Sequence, residues 1–161
     1  MRVAHDLFAE INPAFGAITI VGFSRTYLAN ATAPLDIGLV YLAVPIAMSG
    51  DTQRSFDETN AKTGLLAWLN RYPALRYDLG ERLDAALPIV SASLRFGLSA
   101  RALQLSDKGT IKLGPQAPSK SVTDDLAVGP KQVIRRAERL GAWMSKAGSA
   151  ATIFSAFGVS P

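Results

Sequence analysis

A chain of 161 residues without cysteine has room for one well-cored domain and excludes a disulfide frame or a thiolate metal site. With 48% hydrophobic and 19% charged residues it should fold, and a net charge of +4 admits nucleic acid or acidic partners without demanding them. Asp6 in Met1-Arg2-Val3-Ala4-His5-Asp6 argues against a secretory leader, and the most apolar run, Leu35–Met48, is shorter than the roughly 20 residues of a bilayer span, so a cytoplasmic protein without membrane contact is expected.

Asn12-Pro13 opens the first helix, because an Asn side chain caps free N–H groups and Pro suits the first helical position. Its apolar residues Ala14, Ala17, Ile18, Val21 and Leu28 recur at helical spacing with Arg25 on another edge, and Asn30 to Pro34 ends it. Leu35 to Met48 is apolar nearly all round and belongs in a core or a subunit interface, with Pro45 ending or kinking it. From Asp57 the residues Ala61, Leu65, Trp68 and Tyr72 form one stripe of a helix that stops at Pro73. Leu75, Leu79, Leu83 and Leu87 mark the next helix, with Asp78 and Arg82 spaced for an exposed i, i+4 pair. Pro88 ends it and can open a third helix, about Pro88 to Ala100, mostly buried and with Arg95 and Arg101 as its only charges.

Behind it, Leu103-Gln104-Leu105 and Thr110-Ile111-Lys112-Leu113 alternate in the manner of strands around Asp107-Lys108-Gly109, a hairpin turn. Residues 114–129 lack periodicity and read as a mobile linker loop. Pro130 starts a helix with Val133, Ala137, Leu140 and Met144 inward, and Ser149 precedes a last helix, Ala150 to Phe157, stopped by Gly158. The expected fold is mainly α, a compact helical single domain: N-terminal helices over 12–56, a winged-helix-like unit of three helices plus a β-hairpin over 57–113, the 114–129 linker, and a C-terminal helical pair over 130–161.

No phosphate-binding loop is present, and His5 is the lone histidine, so neither nucleotide chemistry nor a histidine metal site is indicated. Catalytic residues, cofactor and metal are all expected to be absent. Asp57-Glu58 fits helix capping better than metal binding. Lys131, Arg135 and Arg139, flanked by Arg136 and Lys146, recur on one helix face and would present a positive row to phosphates or an acidic partner; a solvated outer face explains them equally well. Lys108 at the hairpin tip and Lys112 on its strand sit where a wing would meet a DNA backbone.

Three segments together carry a resemblance to a known family. They are Asn12-Pro13-Ala14-Phe15 leading to Leu42-Ala43-Val44-Pro45-Ile46; Thr63-Gly64-Leu65-Leu66-Ala67-Trp68-Leu69 with Pro73; and Arg139 to Phe154 running into Phe157-Gly158-Val159-Ser160-Pro161. The chain resembles the middle components of three-component ABC systems, which include the third subunit of Lamassu-type antiviral defence operons. The resemblance implies a non-enzymatic accessory subunit that bridges an SMC-like coiled-coil ABC ATPase and a separate effector such as a nuclease and helps couple DNA sensing to effector activation, with DNA a partner through the complex. On that basis Trp143, Met144, Phe154, Phe157 and Trp68 are candidate docking residues, with Gly141, Ala142, Ala147, Gly148, Ala150 and Ala151 leaving room for a second backbone; an intramolecular contact is the competing explanation. A DNA-binding winged-helix regulator using Arg95, Arg101, Lys108 and Lys112 is the alternative.

Overall fold

A computed structural model describes residues 12–161. The His5 region lies outside the described residues. Eight α-helices and three short strands follow in the order α1 (Pro13–Asn30), β1 (Leu35–Asp36), α2 (Ile37–Met48), α3 (Gln53–Asp57), α4 (Leu65–Arg71), α5 (Leu79–Ser99), β2 (Leu103–Leu105), β3 (Thr110–Leu113), α6 (Lys120–Asp124), α7 (Val128–Ser145) and α8 (Ala150–Phe157). The mainly helical fold with a small antiparallel sheet is the class that the hydrophobic periodicity predicted.

Helix α1 begins as its sequence dictates, with the Ala14 N–H donating to Asn12 Oδ1 at 3.0 Å. It runs between α7 on one side and α5 on the other. The contact with α7 is close because Gly141 has no side chain: a Cβ there would lie 2.2 Å from Thr26 Oγ1 and 2.4 Å from Phe23 O. Thr26 Oγ1 also donates to Glu138 O at 2.6 Å. The room left by Gly141 on the C-terminal helices is therefore filled by the chain's own α1.

Strand β3 lies between β1 and β2, both antiparallel, with Leu35 opposite Ile111 and Leu103 opposite Leu113. Gly109, at φ +75°, makes the predicted turn, and the first N–H of α2 donates to its carbonyl at 2.9 Å. Leu35, Leu103 and Ile111 are buried in one core with Ile20, Phe23 and Leu39. The helices that pack together beside the hairpin are α1, α2 and α5, not three helices of 57–113, and β1 joins the hairpin as third strand.

Several boundaries differ from the periodic pattern. Helix α2 starts two residues after Leu35 and continues past Pro45 to Met48, because Pro45 falls in the last turn, where few backbone bonds remain to be lost. The stripe from Asp57 to Tyr72 is not one helix. Asn60 Oδ1 accepts from the Lys62 N–H at 2.9 Å in a side-chain-closed turn, and Gly64 takes φ +81° before α4 begins. Pro88, conversely, does not divide α5. Burial of Leu79 on one side of it and of Val90 and Leu94 on the other outweighs the roughly 3 kcal/mol that an interior proline costs.

Nor does the 114–129 segment hang free. The Gly114 N–H donates to Ala102 O at 2.8 Å, the Gln116 N–H to Arg101 O at 2.9 Å, and Arg25 on α1 donates to Pro118 O. Thr123, in the short helix α6, is buried.

Candidate functional site

The side chains expected to dock partners fill the chain's interior. Trp68 and Trp143 are 0% and 3% exposed, and Met144, Phe154 and Phe157 are likewise buried. Phe56 stands at the centre of this cluster, with ring centroids 5.0 Å from Trp68 and 5.9 Å from Trp143, the latter nearly parallel, while Phe157 meets Trp68 edge-on at 6.3 Å. Each indole N–H has an internal acceptor: Trp68 Nε1 donates to Ser55 Oγ at 3.0 Å and Trp143 Nε1 to Ala61 O at 3.1 Å. Sequence could not tell a core aromatic from an interface aromatic, because both want an apolar face and a partner for the N–H.

The basic row on α7 is a correction of a different kind. Lys131 Nζ donates to Asp124 O at 2.7 Å; Arg136 is buried and its Nε donates to Ala47 O at 2.8 Å; Arg139 donates to Phe56 O at 2.6 Å and Thr59 O at 3.0 Å. Burial pulls the Arg136 and Arg139 guanidiniums below their ordinary pKa, partly offset by the charge of Asp57. Arg139 also lies 5.9 Å from the ring centres of Phe56 and Trp143. Only Arg135 and Lys146 of the five remain exposed.

The physical reason is that helices end in carbonyls without intrahelical partners and with negative dipole character. Ala47 lies in the last turn of α2 and Phe56 in the last turn of α3, so the α7 arginines supply donors across the fold. Arg76 does the same for α4 and α8, donating to Leu69 O at 3.3 Å and Ala156 O at 2.8 Å. Arg82 donates to Leu75 O at 3.0 Å and Tyr77 O at 3.3 Å rather than pairing with Asp78, which takes a left-handed φ of 53° before α5. Among the described residues the one ion pair is Arg54 with Glu58, at 2.8 Å and exposed. Tyr72 also donates to Glu58, and that bond, followed by the Arg54 contact, holds the Glu58 carboxyl below its usual pKa.

What the surface does offer is a groove between α2 and α5. Apolar side chains from Pro45 to Met48 and from Leu79 to Val90, together with Ser49 and Arg82, line a recess of about 210 Å³. A second, of about 660 Å³, continues past Leu83 between Tyr41, Leu87, Phe154 and Val159. Tyr41 Oη and Ser91 Oγ lie 2.7 Å apart across the two helices. Leu87, on the wall, is 46% exposed, and Phe154 is the one sequence-chosen docking residue that reaches this groove. The leucine repeat did mark α5 from Leu79 onward, with Leu75 in the short turn before it. Among the described residues no group of three or more His, Cys, Asp or Glu side chains is arranged to hold a metal ion. No described helix is long and apolar enough to cross a membrane.

A mainly apolar groove with Ser49, Arg82 and Asp84 among its lining suits the side chains of another protein better than a reacting substrate. The family model of the ABC-three component (ABC-3C) system Middle Component 3 matches residues 4–161. The chain belongs to this family. It is thus an accessory component of a multi-protein ABC system, as the resemblance implied at this coarser level. No curated protein and no solved structure shows a significant match to it.

Proposed function

We propose that this middle component is a non-enzymatic cytoplasmic adaptor that docks the ABC component of its system through the α2–α5 groove and links it to an effector. The observation that carries this reading is the open apolar wall formed by Leu83, Leu87 and Val159 beside Phe154. Membership of an ABC-three component system supports an ABC companion as the occupant. The finer expectations belong here as well: an SMC-like coiled-coil ATPase, a nuclease effector, and a role in Lamassu-like antiviral or anti-plasmid defence. Residues 12–161 act in this reading as one domain, since the core runs without interruption from Ile20 to Phe157.

Co-expression of tagged chain with the two companion components tests the docking. Leu87→Asp places a charge on the exposed wall and should reduce recovery of the ABC component at least tenfold while the melting temperature holds, since a central interface contact contributes about 2 kcal/mol or more. Undiminished recovery by a folded Leu87→Asp protein would overturn the groove as the docking surface.

A further inference from the structure

The chain's net charge is not spread over its surface. Between Ala85 and Thr123 the sequence holds Arg95, Arg101, Lys108, Lys112 and Lys120 against Asp107 alone, an excess of +4 that equals the net charge of the whole protein. Elsewhere cations and carboxylates balance.

The structure leaves these five cations unengaged. All are exposed, and among the described residues none of their side chains hydrogen-bonds or forms an ion pair, in contrast to Arg76, Arg82, Arg136 and Arg139. Arg95 is on the C-terminal half of α5, and Arg101 follows it at φ 60°. Lys108 is in the turn between β2 and β3. Lys112 stands opposite Gln104 on the hairpin, and both are exposed while their neighbours Leu103 and Ile111 are buried. Gln116 ties the next segment back to Arg101, and Lys120 begins α6 just beyond it. Phe96 and Leu105, 47% and 46% exposed, lie between the charges in sequence.

We infer that this hairpin end is a binding surface for the phosphate backbone of duplex DNA, read without base specificity. Around the hairpin the unpaired Arg95, Arg101, Lys108 and Lys112 outnumber Asp107 and the exposed β1 residue Asp36 opposite Thr110, a positive excess that suits a polyphosphate. The first half of α5 carries Glu81 and Asp84 on its exposed side, so a recognition helix inserted along its length into a groove is disfavoured. Contact therefore comes from the end of α5 and the hairpin. This goes beyond the adaptor reading and does not depend on it, since the groove and the basic end use different residues.

Fluorescence anisotropy with a labelled 20-base-pair duplex tests it on the full chain. The log–log salt dependence should have a slope near −4, from roughly 0.9 per phosphate contact. Lys108→Glu with Lys112→Glu should weaken binding at least tenfold and reduce the slope by about 2. Arg95→Glu alone gives a second reading on a separate element, with a smaller loss in the same direction. Arg135→Glu with Lys146→Glu changes total charge equally at exposed α7 positions and should leave the affinity within about threefold. Absence of binding at 50 mM salt, equal losses from the hairpin and α7 pairs, or competition by polyglutamate as effective as by unlabelled DNA would each overturn the inference.

Discussion

Helix α7 and the β2–β3 end carry similar numbers of cations, yet the fold uses them in opposite ways. On α7, Lys131, Arg136 and Arg139 are engaged with backbone carbonyls, three of which, at Asp124, Ala47 and Phe56, lie in the last turns of other helices. At the hairpin, Lys108 and Lys112 face solvent with no partner among the described residues. The lesson is that a basic row at helical spacing says where charges lie along a helix, not which way they face. Orientation follows the last-turn carbonyls of α2 and α3 that accept from these arginines, which no local pattern displays.

The largest test of this contrast is at the aromatic cluster that α7 helps to build. Trp143→Ala should destabilise the chain by about 3 to 5 kcal/mol, read as a fall in the thermal midpoint by circular dichroism. An unchanged midpoint with loss of partner recovery would return Trp143 to the role of a surface anchor. Next in size, Arg139→Met removes the guanidinium donor to Thr59 O and to Phe56 O, which keeps the bonds from Thr59, and should cost about 1 to 3 kcal/mol. The exposed Arg135→Met, one turn away, should change stability by less than about 0.5 kcal/mol. Equal effects at the two positions would erase the distinction between inward and outward cations.

The smallest expected effect concerns Glu58. Its folded-state pKa is depressed, so its contribution to stability is present above the ordinary carboxylate pKa and is lost as pH falls through the folded value. A urea titration of wild type and Glu58→Gln should show the wild-type advantage at pH 7 shrinking towards pH 3. An advantage that grew on acidification would contradict the bonds from Tyr72 and Arg54.

Local chemistry was the readable part of the fold. Asn12 capping α1, Ser149 accepting from the Thr152 N–H at 3.2 Å, Gly158 at φ +73° and the Gly109 turn all follow from residue-level rules. The strand Leu35–Asp36 was not readable, because two residues carry no period and pair only through Ile111 and Thr110. Pro88 misled for a tertiary reason: packing on both sides of it holds α5 together. Of the candidate site, Phe154 was found and the groove was not. A groove depends on how far apart α2 and α5 stand, and Leu87 looks the same in sequence whether its stripe is covered or open.

The docking claim is tested most directly by hydrogen–deuterium exchange on the free chain and on the assembled three-component complex. Docking in the groove predicts added protection in peptides covering 38–48 and 79–90, with residues 139–145 already slow to exchange and unchanged. Added protection confined to α7 and α8, with α2 and α5 unaltered, would contradict it.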